Sequence, residues 1–236
     1  MFMFKPELKF KLDRELDKWT GKEFLTFDET DMFSNSVLAD HPELKKAGEL
    51  EKYAKNEFIN KYVTNYYAEH FKELEEKTVS SLKDWLEVSD RFYILVNKLF
   101  SKASEPGYDW LDGQYVCFLS IFNCNPRFIK QKFFQAFFNH PQTVNYVCMH
   151  EMLHFAFYDY VEKNFPVEFT TLGENGMWKL SEIFNDVVLR QPEFVAITKQ
   201  SDPPIYAQSR EELEKYQTEW QKNPSLELFI QNYLNK

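Results

Sequence analysis

Glycine is scarce in this chain, at 6 of 236 residues, and so are the tight turns that a sandwich of short strands needs. Cysteine is nearly as rare. Cys117, Cys124 and Cys148 are odd in number and show no C-x-x-C spacing, which excludes a disulfide framework and a structural zinc knuckle and reads as reduced, buried thiols in a cytosolic protein. Positive charge is in deficit: the formal net charge is −9, so no basic face is expected for a phosphate backbone or an anionic lipid surface. No apolar run approaches the ~20 residues needed to span a membrane. The opening Met1-Phe2-Met3-Phe4-Lys5-Pro6 is too short to be the apolar core of a signal peptide. Nucleic acid and membrane are thus set aside as partners, and the expected compartment is the cytoplasm. What the chain does have is aromatic mass, 24 Phe and 13 Tyr, which suits a helix-rich globular protein with a sizeable core.

The most informative stretch is His150-Glu151-Met152-Leu153-His154, inside a segment with no Gly or Pro from Gln142 to Phe165. Such a segment reads as one helix, with Pro141 where a first-turn proline is tolerated. Residues four apart share a helix face, so His150 and His154 can offer two imidazoles to one ion. Glu151 projects about 100° away from His150, beside such an ion rather than onto it, where a carboxylate can accept a proton from water. By this chain's own His and Glu frequencies, a chance H-E-x-x-H arises in about one such chain in a hundred.

Two imidazoles leave a catalytic zinc site one protein ligand short. A third histidine at the metzincin spacing is absent, because positions 157 and 160 hold Phe157 and Tyr160. After the breaker Gly173-Glu174-Asn175-Gly176 comes a second helical pattern, Trp178–Leu189. In it Glu182 and Asp186 share a face among Leu180, Ile183, Phe184, Val187 and Val188. Either this pair is an acidic stripe facing solvent, or it is buried and needs positive charge opposite.

H-E-x-x-H followed by E-x-x-x-D some twenty to thirty residues later, both on helices, resembles the gluzincins, the thermolysin-like zinc peptidases. In compactness the segment is similar to the minimal soluble gluzincin domains. The resemblance covers residues 110 to 190. It implies Zn2+ held by His150, His154 and Glu182, with Glu151 as general base and Asp186 as the carboxylate that orients the first histidine. It implies a zinc metallopeptidase that hydrolyses peptide bonds of a peptide or protein substrate with a metal-activated water. A non-proteolytic or self-blocked scaffold of the same fold is the alternative. The chain lacks a calcium-loop run, and no histidine follows His154. Tyr206, Tyr158 and Tyr160 therefore compete for the role of stabilising the tetrahedral intermediate.

Elsewhere the pattern is coarser. Leu8–Leu12 alternates with period two and fits an edge strand guarded by lysines, and Asp13–Trp19 reads as helical. The acids at 28 to 31 read as a solvated loop. A long helical pattern from Pro42 to Lys77 and another from Ser80 to Phe100 predict two antiparallel helices. His41 and His70 lack partners at ligand spacing and read as core or surface residues. Glu105-Pro106-Gly107 is the clearest boundary. Gln114–Phe122 is strand-like. By the resemblance it forms the upper edge of a cleft where an extended peptide pairs; read by itself it is an ordinary central strand. Arg127–Asn139 reads as an aromatic-faced helix, and His140-Pro141 as the loop that ends it. Pro192 and Asp202-Pro203-Pro204 punctuate a loop, and helices return at Ser209–Gln221 and Ser225–Leu234. The expected fold is α+β and mostly helical. It combines a zincin-like active-site helix and glutamate helix with a small sheet and a helical N-terminal portion. The division is 1–105 as a mainly helical region and 106–236 as the zincin-like domain with a helical tail.

Overall fold

The computed structural model describes residues 6–28, 30–100, 111–205 and 208–235. The fold is mostly helical with one small mixed sheet, as the pattern implied. Contacts divide the chain into two compact units, each assembled from separated stretches, so they do not coincide with a cut at residue 105. A sheet unit gathers Glu7–Trp85 and Gln114–Cys148; a helical unit is chiefly Leu86–Gly113 and Met149–Lys236. The Glu105-Pro106-Gly107 boundary lies outside the described residues.

In the sheet unit, β1 (Glu7–Leu12), β2 (Gln114–Ser120), β3 (Arg127–Phe128) and β4 (Phe133–Phe137) lie in the order β1-β2-β4-β3. β1 is an edge strand, parallel to β2 from Glu7 opposite Gln114 to Leu12 opposite Leu119. Its Lys9 and Lys11 leave the edge charged. β2 also pairs in parallel with β4, so both of its hydrogen-bonding edges are occupied. β2 is thus a central strand, and the expected pairing of an extended peptide along it has no free edge to use.

Arg127–Asn139 is not a helix. Lys132 turns the chain in the left-handed region (φ 54°), and β3 runs back antiparallel to β4 with Phe128 stacked on its register partner Phe133 at 4.3 Å. β4 is buried at Phe134, Gln135, Ala136 and Phe137, that is, on both faces. A strand apolar on both faces looks in sequence like a buried helix, which is why the period misled.

The two antiparallel helices expected over 42–100 are also replaced. Pro42–Glu49 is a 3₁₀ turn, and Lys52–Phe100 is a single unbroken helix, here α3 after α1 (Arg14–Phe24) and α2 (Met32–Asp40). No Gly or Pro interrupts residues 52–100, and the weak helix formers at 78–80 turn their hydroxyls back to the helix. Thr78 donates to the Leu74 carbonyl at 2.8 Å and Ser80 to that of Lys77 at 3.1 Å. Within the acid cluster, Asp31 is the N-cap of α2, accepting from the N–H groups of Phe33 and Ser34, rather than a solvated loop residue. His41 is buried, bonded to the Tyr62 hydroxyl and the Ile121 carbonyl, while His70 pairs with Glu73 on the surface.

The helical unit contains α4 (Val144–Asn164, whose first turn lies in the sheet unit), α5 (Pro166–Leu189), α6 (Pro192–Thr198), α7 (Arg210–Lys222) and α8 (Leu226–Leu234). Pro192 opens α6 at its first turn instead of marking a loop. Phe184 on α5 gathers Phe157, Trp220 and Phe229 around it. No helix among the described residues is long and apolar enough to cross a membrane.

Among the described residues of the sheet unit, Asp17 is a fully buried carboxylate. Its carboxylate accepts from the Tyr67 hydroxyl (2.8 Å), the Ser120 hydroxyl (2.5 Å), the Ile121 N–H (3.2 Å) and the Gln135 amide (2.7 Å), tying α1 to α3, β2 and β4. Burial pushes its pKa up to about 6 against the pull of these four donors. A folded pKa above the unfolded one means stability that is full below about pH 4 and lost as pH rises through about 6. Urea unfolding of wild type and Asp17→Asn should therefore diverge: between pH 4 and 8 the difference should move by about 3 kcal/mol in favour of the Asn variant. A pH-independent difference would contradict this account.

Candidate metal centre

α4 runs without Gly or Pro, and the turn before it is made by Thr143 (φ 82°), whose hydroxyl accepts from the Tyr146 N–H at 3.3 Å. Pro141 therefore precedes the helix by three residues instead of sitting in its first turn. From Tyr146 to Phe157 every residue is buried, so His150, Glu151 and His154 are carried into the interior by the apolar surface around them. α5 begins at Pro166 and kinks at Gly173, whose φ of 61° and ψ of −171° suit glycine alone. Beyond the kink, Leu180–Leu189 is buried without interruption.

Between the two helices, the side chains of His150, His154 and Glu182 converge. The two Nε2 atoms are 3.0 Å apart, His150 Nε2 lies 3.1 Å from Glu182 Oε2, and His154 Nε2 lies 3.3 Å from Glu182 Oε1. Around a tetrahedral ion with bonds of ~2.0–2.1 Å, neighbouring ligand atoms stand ~3.3–3.4 Å apart. The observed spacings are within a few tenths of an ångström of that. Two nitrogens and a carboxylate are a donor set for zinc and equally for other imidazole-binding divalent ions. The group is thus able to hold a metal ion, and all three residues are buried. Burial alone would raise the Glu182 carboxyl, but the imidazoles of His154 and His150 outweigh it and hold its pKa well below the ordinary carboxylate range.

Asp186 lies one turn after Glu182 and is also buried. Its Oδ1 accepts from Arg190 Nη1 at 2.8 Å and its Oδ2 from Gln208 Nε2 at 3.0 Å. Each oxygen keeps a further lone pair, and Asp186 lies close enough to His150 for their charges to interact. Burial raises its pKa and the Arg190 guanidinium offsets part of the rise. Arg190 also donates to the Pro203 carbonyl.

Two contributors escaped the sequence reading. Asn185 donates from Nδ2 to the backbone carbonyl of His150 at 2.8 Å, fixing α5 against α4 at the level of the ligands. Arg190 is the cation beside Asp186. A polar residue in an apolar helix, and a basic residue four positions after a buried acid, were the signals for each. Glu151, 3% exposed, follows His150 on α4. Tyr158 packs on Phe169, and Tyr160 on Phe100 and Phe165; Tyr206 lies outside the described residues. His140 serves its loop, accepting from the Gln142 N–H at 3.3 Å.

No family model, no curated protein and no solved structure matches this chain.

If the three side chains form one metal site, zinc should stabilise the fold by about 2.7 kcal/mol at a free concentration one hundred times Kd. Thermal unfolding with zinc and with chelator reads this directly. His154→Ala and Glu182→Ala should each abolish most of the zinc-dependent shift, whereas an equal shift in these variants would place the ion elsewhere.

Proposed function

We propose that this protein is a zinc-dependent hydrolase of peptide bonds. The observation that carries the reading is the convergence of His150, His154 and Glu182 in a buried site, with Glu151 adjacent to the first ligand on the same helix. A lone structural ion needs no such acid.

His150, His154 and Glu182 would hold the ion, which when bound supplies Lewis acidity that polarises the scissile carbonyl and acidifies water. Glu151 takes one proton from the attacking water onto a carboxylate oxygen and passes it to the leaving nitrogen. The water oxygen bonds to the carbonyl carbon, the C–N bond breaks, and an acid and an amine leave. Asp186, held between Arg190 and Gln208, keeps negative charge near His150 and so favours an electron-rich imidazole. The substrate is a peptide or protein, and three buried cysteines outside any disulfide suit a reducing cytoplasm.

A second reading keeps the metal and removes the reaction, leaving a zinc-stabilised or self-blocked scaffold. The depth of the site, with His154 fully buried, favours it.

Metal analysis and casein turnover on wild type and Glu151→Gln separate the two. The hydrolase reading expects bound zinc in both proteins and a 10²–10⁴-fold lower kcat in the variant, the range for loss of a general base. Turnover unchanged by the substitution would falsify the role of Glu151. Zinc bound to wild type with no turnover supports the scaffold.

A further inference from the structure

A cavity of about 480 Å³ opens in the sheet unit between the end of α1 and the start of α3, within the size range of small-molecule sites. Its charge is opposite to that of the chain. Lys22, Lys52 and Lys55 line it with three ammonium groups against the single carboxylate of Glu23, in a protein of net charge −9. Among the described residues no carboxylate pairs with any of these three lysines; Lys55 instead sits over the Phe27 ring at 5.2 Å. Lys22 and Lys55 are half-buried. An ammonium group with no carboxylate on it is placed to pair with an arriving anion.

The remaining wall is apolar. Trp19 and Leu50 line the cavity and stay 37% and 39% exposed, a wide face for residues that usually bury more. Trp19 also begins a ladder of part-exposed rings, with Phe128 at 5.4 Å and Phe133 stacked beyond it. Lys52, Lys55 and Asn56 come from the opening turns of α3, the end of the helix where its backbone dipole adds partial positive charge. None of these residues belongs to the metal group.

We propose that this cavity binds a small organic anion with a flat apolar body. The anionic head, a carboxylate, phosphate or sulfonate, sits among Lys22, Lys52 and Lys55, and the body lies against Trp19 and Leu50. The lysines set the sign of the charge, and the tryptophan face sets the demand for a flat apolar group. Neither feature alone holds the ligand.

The test uses the full chain and two matched fluorescent probes. 1-Anilinonaphthalene-8-sulfonate carries both features; N-phenyl-1-naphthylamine has the same rings without the charge. The sulfonate should bind saturably at one site, more tightly than the neutral probe, and more weakly as salt is raised. Lys52→Glu with Lys55→Glu should weaken it by about tenfold or more while leaving the neutral probe unchanged. Lys52→Gln with Lys55→Gln, a milder change, should give an intermediate loss with the circular dichroism of wild type. Trp19→Ala should weaken both probes. Equal affinity for the two probes, no saturable binding of the sulfonate, or an unchanged sulfonate affinity in both folded lysine variants would overturn the proposal.

Discussion

An ionised carboxylate buried between apolar helices demands positive charge at contact distance, and the helical unit is built around meeting that demand. Glu182 is 5% exposed and faces two imidazoles at 3.1 and 3.3 Å. For both contacts to exist, α4 and α5 must be held in one register, and Asn185 bonding to the carbonyl of His150 provides the lock. The same problem recurs one turn later at Asp186. There the cation is Arg190, whose side chain is itself 5% exposed and which also reaches the Pro203 carbonyl. Two acids four residues apart are thus compensated by different partners, and only the first faces ligand-type nitrogens.

The sheet unit buries a carboxylate by other means. At Asp17 neutral donors take the place of a cation: Tyr67 of α3, Ser120 of β2, Ile121 just after it and Gln135 of β4 occupy its oxygens. That difference separates a structural acid from a candidate site. Saturated by fixed donors, Asp17 has nothing left to offer an ion. Glu182 presents its oxygens to two nitrogens that are themselves metal ligands by type, and an ion entering among the three would satisfy all of them at once.

Legibility followed the range of the forces involved. His150, His154, Glu182 and Asp186 were readable because helical spacing alone puts residues four apart on one face, and the unbroken runs of α4 and of α5 after Gly176 made helices there nearly inevitable. The caps at Ser209 and Ser225 were local signals of the same kind. By contrast, β4 was mistaken for a helix because burial on both faces erases the period that tells the two apart. The continuity of α3 is hidden in the sequence because Thr78, Val79, Ser80 and Ser81 look like a break, although the Thr78 and Ser80 hydroxyls fold back on their own helix.

What the amino-acid order determined by itself was chemistry at fixed spacing: two imidazoles with an adjacent acid, then two further acids, each set placed on one helical face by the geometry of a single turn. The tertiary structure decided what those sets meet. It brought Glu182 to the histidines, gave Asp186 to Gln208, and placed β2 between β1 and β4 so that neither edge is free. These pairings join residues from 17 to 107 positions apart, as Val116 with Phe133 and Glu7 with Gln114. Within one turn, helix geometry announces a pairing; across distant segments it depends on how elements pack, which no local spacing encodes.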